Sequence, residues 1–365
     1  MKKHCLIIFL VFFYGCGQGQ IKEAIDLQTD NNILGQQQLE LIFEKAKLFP
    51  DQTQISIALI KDGKAIFYGI RRQNDTIITV DNHKNVFEIG SISKVFTTTL
   101  LSNLVFEETV RLDNNINDYL DFPLRNKTKI TFKQLATHTS GLPRLPTNLN
   151  LAVVDPANPY KAYDEVKLRK YLSESLELAH KPGEKSEYSN LGVGLLGYVL
   201  GKIDGTSYED MLQTRIFSKY RMKRSTTDRC KIMTHLIKGL NEQGEEVPNW
   251  DLSVLMGAGG ILSATEDLSK FALAQFDTAN TELELTRTSF FKVDDNYEMG
   301  LGWSIIKTDV GEIWNWHNGG TGGYTSSIII NTGSKKGIIV LSNVSAFSKI
   351  TNNVTDLSHE LMKTL

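Results

Sequence analysis

Cysteine is scarce in this chain. Only Cys5, Cys16 and Cys230 occur in 365 residues. That count excludes a disulfide scaffold and a thiolate metal site. Cys230, alone, reads as a small core or surface residue and not as a nucleophile. Charge of one sign is lacking too: the formal net charge is −2. No broad basic field is there to hold nucleic acid. The one basic cluster, "SKYRMKRSTTDR" at 218–229, is expected to be a solvated face. No apolar run reaches the ~20 residues that a membrane-spanning helix needs. Two hydrolase signatures are missing. There is no Gly-x-Ser-x-Gly elbow and no His-Glu-x-x-His pair for a zinc peptidase. No repeat or low-complexity segment appears, and no cofactor is implied.

What the chain does have begins at its N-terminus. Lys2 and Lys3 precede an apolar run from Leu6 to Tyr14, and Gly15 stands just before Cys16. This has the form of a secretory signal over residues 1–15. A small residue followed by Cys also resembles a bacterial lipoprotein cleavage site, which makes Cys16 the candidate lipidated residue. Residues 16–36, polar and Gln-rich, are expected to be a tether. The expected location is the periplasm or the outer membrane of a bacterium, with membrane attachment by the lipid alone.

From residue 37 onward one domain is expected. "LELIFEKAKLF" at 39–49 has apolar residues at helical spacing. "QISIALIKDGKAIFYGI" at 54–70 predicts a hairpin turning at Asp62-Gly63. Short strand-like runs return near the C-terminus in "MGLGWSIIK", "EIWNWHN", "YTSSIIIN" and "GIIVLSN", followed by a last helical run. Between them, about 91–290, the pattern is mainly helical. The fold class predicted is therefore α/β (α+β). An antiparallel sheet is built from both chain ends, about 50–85 and 295–365, and is flanked by helices with a mainly helical region inserted. A reactive site belongs where helices meet sheet.

Ser-x-x-Lys could place a nucleophile beside its base, since i and i+3 share a helix face. A Ser at a helix start also has its N–H at the positive end of the helix dipole. Lysine in water keeps its proton to a pKa near ~10.4, so it serves as base only in a dry, positively charged pocket. The motif occurs three times, at Ser91, Ser289 and Ser304. Ser304 lies in a strand-like run, where i and i+3 point to opposite faces. Two patterns that occur once each distinguish the first match: Tyr188-x-Asn190 and His317-x-Gly319.

Six segments in order, "FEIGSISKVFTTTLL", "ITFKQLATHTSGLP", "KPGEKSEYSNLGVGLLG", "MGAGGILSATEDLSKFA", "YEMGLGWSI" and "HNGGTGGYTSSIII", make the chain resemble a known superfamily. It is similar to the serine β-lactamases and penicillin-recognising hydrolases, in their class C-like branch with its D,D-carboxypeptidase and esterase relatives. The resemblance covers about 37–360 and implies a β-lactamase/transpeptidase-like fold. It also implies that Ser91 is the acylated nucleophile, Lys94 its proton partner and Tyr188 the second acid or base. Asn190 would hold the substrate amide, with His317, Asn318, Gly319 and Gly320 lining the substrate strand. The N–H groups of Ser91 and Gly320 would form the oxyanion hole. The implied activity is hydrolysis of an amide, ester or β-lactam bond through an acyl-enzyme. The alternative is a penicillin-binding protein or sensor that acylates without efficient turnover. Substrates would be small molecules or peptidoglycan-like peptides.

One departure bears on the substrate. Lactamases of this branch usually carry Lys-Thr-Gly, and here the tripeptide is His317-Asn318-Gly319. Histidine, with a reference pKa near ~6.5, is largely neutral at pH 7 unless a carboxylate raises it. A peptidase, amidase or esterase is therefore favoured over an efficient β-lactamase. His138 beside Ser140 in "THTSGLP" is expected to be structural.

Overall fold

A computed structural model describes residues 34–74, 76–349 and 352–365. The expected signal segment, Cys16 and the expected tether up to residue 33 lie outside the described residues. The first helix, α1 (Gln36–Ala46), begins at Gln36, three residues before the apolar periodicity at Leu39. Gln36, expected as the last tether residue, is thus the first residue of this helix.

A nine-stranded sheet forms the frame. Its strands are β1 (Gln54–Lys61), β2 (Lys64–Gln73), β3 (Thr76–Thr79), β4 (Phe291–Lys292), β5 (Tyr297–Met299), β6 (Ser304–Lys307), β7 (Ile313–Gly320), β8 (Thr325–Asn331) and β9 (Lys336–Ser342). The spatial order is β3-β2-β1-β9-β8-β7-β6-β5-β4. Every neighbouring pair is antiparallel. The two chain ends meet at the β1–β9 pair, where Ile57 stands opposite Val340, as the sequence pattern predicts. The first hairpin turns at Asp62 and Gly63, both at positive φ, the backbone that a two-residue turn needs.

Strand periodicity divides the apolar residues between two cores. Ile55, Ile57, Leu59, Ile329, Ile338 and Val340 face one side and pack with α1 and the last helix, α5. That helix spans Asn352–Lys363. Ala58, Ile60, Ile328, Ile330, Ile339 and Leu341 face the other side and join the inserted helical region. Covered on both faces, the central strands read as continuous apolar runs, not as alternating ones.

Three helices of the inserted region matter most: α2 (Ser93–Phe106), α3 (Asn190–Asp204) and α4 (Thr265–Ala274). α2 runs through the core, and nearly all its residues are buried. Its polar side chains are satisfied there. Thr97 donates to the Gly257 carbonyl at 2.7 Å, Thr98 to that of Leu301 at 2.8 Å and Ser102 to that of Glu282 at 2.6 Å. These bonds offset the cost of burying hydroxyls. They also fix α2 along its length, and the residues at its start inherit that rigidity.

Candidate active site

Ser91 sits in a tight turn, Gly90–Ile92, that leads directly into α2. The turn is pressed against the end of β7. Gly90 has φ +50, and a Cβ there would lie 2.5 Å from the Gly320 nitrogen. A Cβ on Gly319 would lie 2.0 Å from the Ile89 carbonyl oxygen and 2.9 Å from the Ser91 nitrogen. Two facing glycines therefore let the Ser91 turn and the strand backbone approach closely. Ser326 on β8 fastens the contact by donating to the Ile89 carbonyl at 2.8 Å.

Lys94, one turn along, is fully buried. Its Nζ donates to Ser91 Oγ at 3.0 Å, to Asn190 Oδ1 at 2.8 Å and to the Ala258 carbonyl at 2.6 Å. Burial first, and then the positive charge of Arg144, hold its ammonium well below the usual lysine range. As a neutral amine it keeps two of these bonds and offers its lone pair to the Ser91 hydroxyl.

Tyr188 approaches the same oxygen from the other side. Its O–H donates to Ser91 Oγ at 2.6 Å, and Lys94 Nζ lies 4.8 Å from its ring centroid. Burial pushes its pKa up to about 12, against the opposing pull of the Ser91 bond and of Arg144. Tyr188 is therefore a phenol at neutral pH. Next to it, Ser189 caps α3 by accepting from Gly192 N at 2.8 Å. That cap places Asn190 as the first helical residue.

His317 is buried on β7, its ring 6.5 Å from that of Tyr188. Its Nδ1 meets the Asn318 carbonyl at 2.6 Å. A carbonyl only accepts, so Nδ1 carries the proton and Nε2 is left as an acceptor. Burial and then the Lys94 charge bring its pKa down to about 3. Asn318 departs from expectation. Alternation along β7 leaves Trp314 and Trp316 on the α5 side, and Asn318, two residues on, shares that parity. Its side chain is exposed on the face opposite His317, so only its carbonyl belongs to the site.

The other Ser-x-x-Lys matches come to nothing. Lys292 pairs with Asp295 at 2.8 Å, and Ser304 bonds to the Tyr297 hydroxyl at 2.6 Å. His138 does not engage Ser140. Its Nδ1 accepts from Ser189 N at 3.1 Å, while Ser140 Oγ accepts from Leu142 N at 3.3 Å. The His138 ring packs 4.7 Å from Tyr188 and is held neutral by burial and by Lys94.

Two groups are missed by sequence reasoning. One is the Ala258 carbonyl, a backbone atom with no residue-type signal. The other is Arg144, whose guanidinium carbon lies 5.1 Å from the Tyr188 ring centroid. It follows "SGLP" directly, but nothing in the sequence says that it folds over a tyrosine 44 residues away. A cleft of about 330 Å³ opens on Ser91, Asn190 and Gly320, walled by Tyr160, Trp250 and Leu252. Among the described residues no cluster of His, Cys, Asp and Glu could hold a metal ion.

A serine oxygen held between a buried lysine and a half-buried tyrosine, against the end of an interior strand of an antiparallel sheet, defines a serine hydrolase of the acyl-transfer type. The chain belongs to the Beta-lactamase family, whose model matches residues 47–359. It is 26% identical to the D-alanyl-D-alanine-carboxypeptidase/endopeptidase AmpH of Escherichia coli (strain K12), over 81% of this chain and 86% of that one. It is 25% identical to Protein flp of Staphylococcus aureus (strain MW2), over 85% of this chain, and spans 64% of that relative's length. A class C beta lactamase from Rhodobacter sphaeroides superposes with a TM-score of 0.74 over 90% of this chain and 99% of that one, at 20% identity.

Proposed function

We propose that this protein hydrolyses amide or ester bonds of small peptide-like acyl donors through an acyl-enzyme on Ser91. The observation that carries the reading is the position of Ser91 Oγ, 3.0 Å from Lys94 Nζ and 2.6 Å from the Tyr188 hydroxyl. Lys94, favoured as an amine, takes the Ser91 proton as Oγ attacks the acyl carbon. The N–H groups of Ser91 and Gly320 stabilise the developing oxyanion. Tyr188, a phenol, gives its proton to the departing nitrogen or oxygen and regains one from Lys94. Water then attacks the Ser91 ester, passes a proton back through Tyr188 and Lys94, and restores the serine hydroxyl. Asn190 holds Lys94 through Oδ1 and has Nδ2 to donate to a substrate carbonyl.

The bond cleaved is weighed by His317. A neutral acceptor stands where a lysine would anchor the β-lactam carboxylate. This supports a peptidase, amidase or esterase over an efficient β-lactamase, as does the likeness to a carboxypeptidase. A panel of a chromogenic cephalosporin, a chromogenic ester and a D-Ala-D-Ala peptide tests the reading, beside Ser91→Ala protein. Ser91-dependent turnover of the ester or peptide is expected, with slow cephalosporin turnover. Equal turnover with and without Ser91 overturns it, and stoichiometric acylation without release makes the protein a penicillin-binding sensor instead.

We propose further that residues 1–15 direct export and that Cys16 is lipidated, tethering the domain to a bacterial envelope membrane. The Lys-apolar-Gly-Cys order of the sequence supports this. Cys16→Ala protein should move from the membrane fraction to the soluble one; persistence in the membrane would count against it.

A further inference from the structure

Arg144 is fixed in place by its backbone and free at its tip. Its carbonyl accepts the N–H groups of Asn190 at 3.0 Å and Leu191 at 3.1 Å, the first two residues of α3. Ser189 Oγ donates to the preceding Pro143 carbonyl at 2.7 Å. The loop is thus fastened to the helix end that carries Tyr188 and Asn190. The side chain is exposed and lies over the Tyr188 ring. Among the described residues it has no ion pair and no side-chain hydrogen bond. Arg125 and Arg169, by contrast, are paired, with Glu177 at 3.1 Å and with Asp121 at 2.8 Å. Arg144 therefore presents a planar fork of N–H donors over Tyr188, a shape that suits bidentate binding of a carboxylate.

Neither Lys94 nor His317 can do this. Lys94 is buried and committed to three acceptors. His317 is neutral, and its one ring N–H is spent on the Asn318 carbonyl. We propose that Arg144 binds a carboxylate on the leaving group of the substrate, so that the enzyme prefers acyl donors ending in a free acid. This rests on the Ser91 acylation reading. In that reading Tyr188 protonates the leaving atom, and Arg144 lies on the Tyr188 ring. A leaving group moving toward Tyr188 brings its carboxylate to the guanidinium.

The test uses two thioesters of one N-acyl-D-alanine, one with mercaptoacetate as leaving group and one with its carboxamide. Ser91→Ala protein is the background. Wild-type kcat/KM should favour the mercaptoacetate ester. In Arg144→Gln that preference should fall about 10- to 100-fold, the usual worth of hydrogen bonds to a charged group. Arg144→Lys should recover part of it, as a point charge without the fork. An effect of Arg144 on the proton chemistry of Lys94 or Tyr188 also reaches the turnover ratio, so binding measured without turnover separates it from carboxylate recognition. An unmoved ratio, or equal losses on both esters, overturns the assignment. Calorimetric binding of both esters to Ser91→Ala and Ser91→Ala/Arg144→Gln proteins is read without turnover. The carboxylate ester should bind more tightly only when Arg144 is present, and equal binding of the pair overturns the assignment. Loss of Ser91-dependent turnover alone would sink the hydrolase reading and leave the binding result standing.

Discussion

Lys94 donates a 3.0 Å hydrogen bond to Ser91 Oγ while its own side chain has no exposure to water. Water would hold the ammonium charged; burial and the Arg144 charge oppose it. The three acceptors around Nζ keep the lysine in one geometry whichever form it takes. Lys94→Ala should therefore reduce kcat/KM by about 10²- to 10⁴-fold, the usual worth of a positioned acid–base group. Single-turnover acylation of the chromogenic ester measures this, and a rate within a few-fold of wild type would exclude Lys94 as base.

Tyr188→Phe keeps the ring beneath Arg144 and removes one oxygen. Loss of the proton donor should cost about 10²- to 10⁴-fold in kcat. The loss should be smaller for an ester whose leaving group is a weakly basic phenol, because that group needs no proton. Equal losses for good and poor leaving groups would exclude Tyr188 as the general acid.

The pH profile follows from the same charges. With Lys94 as the proposed base, the neutral amine is the active form, so kcat/KM should rise with pH along a limb below the ordinary lysine range. A nearby positive charge disfavours the ammonium. Removing it in Arg144→Gln should raise the Lys94 pKa and move that limb to higher pH. A limb that stays put or moves to lower pH would contradict the coupling.

Two buried histidines link pH to stability. The folded pKa of His317 is down near about 3, and that of His138 is also well below its ordinary value. As pH falls below the unfolded value of ~6.5, the unfolded chain takes up protons that the folded one refuses. Stability is full above that value and is lost as pH falls toward 3. For His317 the loss is on the order of 2 kcal/mol at pH 5. Thermal melts at pH 7 and 5 should show the drop, and His317→Asn should lessen it. Equal slopes in the variant would contradict a neutral buried His317.

Gly319 tests the contact between strand and turn. Gly319→Ala drives a Cβ into the Ile89 carbonyl and the Ser91 nitrogen. Displacing one oxyanion donor should lower kcat about 10²- to 10³-fold. Wild-type kcat in that variant would mean that the two N–H groups do not act together.

The frame was legible because strand and helix periods are written in side chains. The Asp62-Gly63 turn, the return of strands near the C-terminus and the ordered segments around Ser91, Tyr188 and His317 all carry residue-type signals. Gln36 reads as tether because it is polar and precedes the apolar periodicity, although the Gly35 N–H donates to Gln38 Oε1 at 3.1 Å in the first turn. Asn318 was placed in the site as part of a tripeptide, yet strand alternation turns its side chain away. Arg144 and the Ala258 carbonyl were invisible because tertiary packing alone brings them to Tyr188 and Lys94. The tautomer of His317 depends on one carbonyl, which no residue type announces.

The central claim is that Ser91 carries the acyl group. Intact-mass and peptide-mass measurement after rapid mixing with a slowly released acyl donor tests it most directly. One acyl equivalent on the peptide containing Ser91 is predicted in wild type and none in Ser91→Ala, with slower labelling in Lys94→Ala and Tyr188→Phe. An adduct on another residue, or equal labelling of the Ser91→Ala protein, would contradict the account.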